Sequence, residues 1–153
     1  MKTGTSEILL VEDNPLDVEL TLEALREGNV ANQIHVVRDG EEALDFVFCK
    51  GAYEQRSFDS PPRVVLLDLK LPKLDGLEVL QLIKTDPRTK AIPVVILTSS
   101  KEERDLVNGY KMGVNSYIQK PLDFEQFRQT VKQLGLYWLV VNEPPPPNAH
   151  RPS

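Results

Sequence analysis

Cysteine is nearly missing: Cys49 stands alone among 153 residues. A single thiol forms no internal bridge and no Cys-based zinc site; at a helix end it reads as a small packing residue. Histidine is scarce as well, with His35 in an apolar run and His150 near the C-terminal end. Neither has partners at ligand spacing, so both read as structural or solvated. Long apolar runs are missing, since stretches such as Val64–Leu67 and Val94–Leu97 fall far short of the roughly 20 residues that span a bilayer. No N-terminal apolar region argues for secretion. A cytoplasmic protein without a membrane span is expected. Positive charge is in deficit, with 18 Lys+Arg against 23 Asp+Glu and a net −5. Nucleic-acid binding by counterion release is therefore not expected.

What is present is enough for one core. A chain of this length buries roughly 70% of its unfolded surface on folding, so no staples are needed. Short β-rich runs at Ile8–Val11, Ile34–Val37, Val64–Leu67, Ile92–Leu97 and Ser116–Ile118 alternate with helical segments. Those segments lie near Pro15–Glu27, Glu41–Lys50, Gly76–Thr85, Lys101–Met112 and Phe124–Leu136. The alternation predicts an α/β fold, a five-stranded parallel sheet covered on both faces.

Each helix start carries a cap: Asn14 with Pro15, Asp39 with Glu42, Asp75 with Glu78, Ser100 with Glu103, and Asp123 with Gln126. The last four have the reciprocal capping-box pattern that satisfies orphaned amide donors. In the last helix Phe124, Phe127, Val131 and Leu134 form one stripe toward the sheet. Two stretches break the alternation. Gly51–Pro62, with Tyr53 and Phe58, reads as a polar surface insertion. Asn142–Ser153, with Pro144–Pro147, reads as a flexible, extended tail.

Open parallel sheets place their sites at the carboxyl ends of the strands. There stand Glu12-Asp13 after strand one, Asp68-Leu69-Lys70 after strand three, Thr98-Ser99-Ser100 after strand four and Lys120-Pro121 after strand five. Three crowded carboxylates need a cation or a proton to coexist, and hard oxygen ligands suit Mg2+. A metal site beside a lysine and a threonine hydroxyl is equipped for phosphoryl binding, with one carboxylate as nucleophile.

These residues resemble the receiver domain of two-component response regulators. The resemblance covers about residues 6 to 138, with 30 residues from Asp68 to Thr98 and 22 from Thr98 to Lys120 as in the family. The 55 from Asp13 to Asp68 are more than usual, and the excess falls on the 51–62 loop. Leu71-Pro72 followed by Asp75-Gly76, Ile92-Pro93-Val94, and Gly113 with Asn115 agree.

The resemblance implies a flavodoxin-like, doubly wound (βα)5 fold with strand order 2-1-3-4-5. It implies Asp68 as acceptor of a phosphoryl group from a sensor histidine kinase. Mg2+ would be held by Asp13, Asp68 and the backbone carbonyl of Lys70, with Glu12 acting through a water. Lys120, followed by a cis peptide to Pro121, would pair with the phosphoryl oxygens. Thr98 would bond the phosphoryl group while Tyr117 turns inward, which is the switch. The reading surface would lie around Tyr110, Tyr117 and Phe127.

Residues 1–141 are expected to form the receiver and 142–153 the tail, with no output domain. The run Leu134–Val141 is unusually apolar, and Tyr137 and Trp138 suit an association surface. With the long loop, it resembles the small response regulators that partner cyanobacterial phytochrome histidine kinases, which implies a homodimer through the fourth and fifth helices. Two rivals remain. A phosphatase of the haloacid-dehalogenase type needs a second acid two residues after Asp68, where Lys70 stands. A pseudo-receiver would lack part of the metal and lysine set, and all parts are present. A dinucleotide fold is excluded by the glycine-free turn Glu12-Asp13-Asn14-Pro15.

Overall fold

Continuous apolar strands, too short to bury themselves, are sandwiched between capped helices. The computed structural model describes residues 8–28, 30, 34–110 and 116–136, the side chains of 106–110 excepted. In chain order the elements are β1 (Ile8–Val11), α1 (Pro15–Glu27), β2 (Ile34–Val37), α2 (Gly40–Val47), β3 (Val64–Asp68), α3 (Gly76–Thr85), β4 (Val94–Thr98), α4 (Lys101–Tyr110), β5 (Ser116–Gln119) and α5 (Phe124–Gln133). All pairings are parallel, in the order β2-β1-β3-β4-β5. This is the expected flavodoxin-like topology.

Strand residues alternate between two cores because successive side chains point to opposite faces. Leu9, Val11, Val65, Leu67 and Ile96 meet Ala43 and Phe46 of α2 and Val79, Leu80 and Ile83 of α3. Ile8, Leu10, Leu66 and Leu97 meet Val18 and Leu25 of α1 and Phe127 and Val131 of α5. All five caps form: the Asn14, Asp39, Asp75, Ser100 and Asp123 side chains accept from the amides of Asp17, Glu42, Glu78, Glu103 and Gln126. The return arm is displaced at two of them, since Glu42 accepts from Arg38 N and Glu103 from Ser99 N, each one residue before the cap.

Several boundaries differ from those expected. Helix α2 ends at Val47 rather than Lys50, because Cys49 turns into the left-handed region at φ 58. Helix α5 ends at Gln133 rather than Leu136. Gly135 at φ 76 closes a Schellman motif, its amide bonding Lys132 O while Leu136 N bonds Val131 O. Strand β4 starts at Val94, after Pro93, and runs through Thr98.

The 51–62 connection is more than a polar insertion. A 3-10 turn at Gly51–Tyr53 brings the Tyr53 hydroxyl to donate to Glu42 Oε2 at 2.7 Å, with His35 Nε2 at 3.0 Å. Arg56 lies 3.8 Å over the Phe46 ring, which stacks on His35 from 4.7 Å, and Arg56 Nε donates to Phe46 O. The loop is stitched to the α2 side of the core through aromatic and guanidinium planes.

Phe127 is a correction. Expected on a docking surface, it is completely buried between α5 and the sheet, so a partner cannot touch it in this fold. Its place in the apolar stripe of α5 outweighs its place on the fifth helix. Replacing it leaves a cavity, so Phe127→Ala is expected to lower stability by about 3–5 kcal/mol in urea unfolding. A loss within about 0.5 kcal/mol, as for an exposed side chain, contradicts this burial.

Candidate functional site

Register explains why distant acids converge. Val11 of β1 is level with Leu67 of β3, so Glu12 and Asp68 follow side by side. Asp68 is level with Leu97, and Thr98 with Gln119, so Thr98 and Lys120 stand at the same end of the sheet. Lys120 N donates to Thr98 O at 2.7 Å, joining these two ends. Helix α3 starts hard against the end of β3: a Cβ at Gly76 would lie 2.5 Å from Asp68 O and 2.7 Å from Leu69 Cα. Only glycine fits that approach.

The centre is Lys120. Its Nζ lies 3.2 Å from Glu12 Oε1, 3.1 Å from Asp17 Oδ2 and 3.3 Å from Asp68 Oδ1. Glu12 and Asp68 are 1% and 3% exposed, while Asp13 is exposed. One carboxylate oxygen from each of Glu12, Asp13 and Asp68 lies within 4.8 Å of the others. Thr98 is buried beside them on the neighbouring strand. The Lys120–Pro121 bond is cis.

Burial and the neighbouring Asp68 charge push the Glu12 carboxyl up to about 7, against an amide hydrogen bond from Asn14 and the attraction of Lys120. Burial also raises Asp68, opposed by Lys120 and by hydrogen bonds from Glu12 and the Lys70 amide. Both shifts favour a proton held within this pair of carboxyls when no cation is present. For Lys120, burial pulls downward, but Asp68, Asp17 and Glu12 outweigh it and hold the ammonium above its usual range.

One ammonium cannot neutralise four carboxylates, two of them buried, so the site is short of positive charge. That deficit, made of hard oxygen donors with one acid open to water, fits a divalent cation of the Mg2+ type. Beside it opens a cavity of about 480 Å³, lined by Asp13, Lys70, Leu71, Pro72, Leu77 and Glu103 among others.

The remaining named residues are placed as follows. The Lys70 side chain leaves the acids and pairs with Glu103 Oε2 at 3.2 Å. Tyr117 is half-buried and packs against the core on the α2–α3 face. Tyr110 ends α4, its side chain lying outside the described residues, as do Tyr137 and Trp138 altogether. Two acids went unnoticed in the sequence as site residues: Asp17, one helical turn past Asp13, and Glu103, the third residue of α4. Helical period at a helix starting beside the acids signals the first; the sequence around Glu103 signals only its place in the capping pattern.

The response regulator receiver domain model matches residues 8–132. The probable methanogenesis regulatory protein FilR2 of Methanothrix harundinacea is 45% identical over 92% of this chain and 88% of its own length. Response regulator Rcp1 of Synechocystis sp. is 41% identical over 86% of this chain and 88% of its own. The solved structure of the Mn2+-bound form of Rcp1 gives a TM-score of 0.70 at 38% identity, covering 92% of this chain and 99% of that one. The bacteriophytochrome response regulator AtBRR gives a TM-score of 0.84 at 52% identity, covering 92% and 100%.

The raised Glu12 makes stability depend on pH. Between its ordinary value of 4.5 and about 7 the folded state holds a proton that the unfolded chain releases. Metal-free protein is therefore expected to lose stability as pH rises through that window. Asp86, Asp123 and Glu125, whose carboxyls are held below their usual values, lose their contribution only at lower pH. Added Mg2+ favours the ionised pair and should recover the loss. Urea midpoints at about pH 5.5 and about 7.5, with chelator and with Mg2+, check this; a flat metal-free profile contradicts it.

Proposed function

Since the chain belongs to the response regulator receiver domain family, matched over residues 8–132, we propose that it receives a phosphoryl group on Asp68 from a sensor histidine kinase. The observation that carries this reading is Lys120 held among Glu12, Asp17 and Asp68, at 3.1–3.3 Å, where an acyl phosphate on Asp68 would form. An Asp68 carboxylate oxygen forms the new P–O bond while the P–N bond of a kinase phosphohistidine breaks. The electron pair stays on the imidazole nitrogen. Lys120 then pairs with phosphoryl oxygens and the Thr98 hydroxyl donates to one of them. Asp13, Asp68 and the Lys70 carbonyl would hold Mg2+, with Glu12 acting through a water, and the bound ion would neutralise phosphoryl charge.

The acyl phosphate adds negative charge and acceptor oxygens that Thr98 and Lys120 satisfy best when drawn toward it. That difference shifts the population of two conformations, with Tyr117 following Thr98. The protein acts as a signalling phosphoacceptor rather than a turnover enzyme, its own chemistry confined to accepting and losing that group. The face of α4, β5 and α5 around Tyr110 and Tyr117 reads the state, by docking a target or a second copy of this chain. A phytochrome-type kinase is the proposed donor, supported by the likeness to the bacteriophytochrome response regulator AtBRR. This partnership puts the protein in the cytoplasm, and no described helix is long and apolar enough to cross a membrane.

Incubation with acetyl phosphate and Mg2+, followed by peptide mass analysis, tests the reading. The phosphoryl mass is expected on the peptide holding Asp68, and its loss in Asp68→Asn. Labelling that persists undiminished in that variant contradicts it.

A further inference from the structure

Glu103 sits at the third position of α4 and closes more than its own helix. Its Oε1 accepts from Ser99 N at 2.8 Å, and its Oε2 meets Lys70 Nζ at 3.2 Å. Ser99 directly follows Thr98; Lys70 is the second residue after Asp68. One carboxylate thus ties the loop leaving β3 to the loop leaving β4, on the wall of the cavity that opens beside Asp13. The tie is lopsided. The Glu103 side chain is 12% exposed and that of Lys70 79% exposed, while among the described residues the buried Oε2 has the ion pair but no hydrogen bond. A carboxylate oxygen held in this way is a weak restraint that competition can break.

The geometry points to Glu103 as a positioning residue, an internal anion that holds Ser99 and Lys70 in the unphosphorylated arrangement and is displaced when Asp68 carries its phosphoryl group. This rests on the phosphoacceptor reading given above and specifies what opposes it. Both groups bound by Glu103 are anion binders: the backbone amide that follows Thr98 and the exposed ammonium of Lys70, two residues past Asp68. A phosphoryl group brings about −1.5 to −2 charges. It repels the Glu103 carboxylate and attracts Lys70, so the two anions compete for one set of donors. The loop carrying Thr98 cannot move freely toward Asp68 while its next amide is tied to Glu103. Differential contact with the two states is what a switch requires.

Beryllofluoride, a phosphoryl analogue that binds a carboxylate in the presence of Mg2+, measures the competition without turnover. Glu103→Gln keeps an acceptor for the Ser99 amide and the helix cap but removes the charge. Calorimetric titration is expected to show beryllofluoride binding tighter by about two- to fivefold in the variant, the range of an ion pair with one exposed partner. The gain should shrink at about 1 M salt, where the Debye length is ~3 Å. The Ser99 amide resonance of the unsubstituted protein should move on binding. Equal affinity in the two proteins, with binding otherwise intact, overturns the role of Glu103 and leaves the phosphoacceptor reading standing. Failure of both to bind overturns both. Urea unfolding of Glu103→Gln separates these results from a folding defect, since a purely structural cap changes the midpoint and not the affinity.

Discussion

The lysine ammonium at the end of β5, held between three carboxylates, is the contact on which the rest of the site depends. Lys120 reaches Glu12, Asp17 and Asp68 at 3.1–3.3 Å, and two of those acids are almost without water. Taking carboxylates out of water is costly unless they are paired. Here the sheet forces the issue: β1 and β3 are neighbours in register, so Glu12 and Asp68 meet whether or not their charges are matched. Lys120 supplies part of the compensation, and burial raises both carboxyls above their usual values. The balance is left for groups that arrive from outside.

Much of this was legible in the sequence because it rests on short-range rules. Fully apolar runs of four or five residues read as strands buried on both faces, and five capping side chains marked five helix starts. The order of Glu12-Asp13, Asp68, Thr98 and Lys120 survives translation into space because each sits just past a strand, where parallel topology gathers it. Arrangements set by tertiary packing were less legible. Phe127 has the composition of an interface residue, yet lies in the stripe that α5 buries. Tyr53 and Arg56 sit in a polar stretch, yet their planar groups pack on Phe46 and His35. Nothing local to those residues announces a partner seven or more positions away.

Asp17 and Glu103 show a further limit. Each looks like an ordinary acid in the first turn of a helix, where it favours the N-terminal dipole. Both helices start at the carboxyl ends of strands, so the same turns also face the site. Asp17 thereby becomes a partner of Lys120, and Glu103 a tie between Ser99 and Lys70. The loops after β3 and β4 are thus tied to each other through one carboxylate.

Phosphotransfer from a purified, autophosphorylated phytochrome-type histidine kinase carrying radiolabelled phosphate tests the central claim most directly. With Mg2+ present, the label should leave the kinase and appear on this chain as a hydroxylamine-labile acyl phosphate, and transfer should fail in Asp68→Asn. Label that stays on the kinase under conditions where a cognate receiver empties it, or that reaches this chain in a hydroxylamine-resistant form, contradicts the claim.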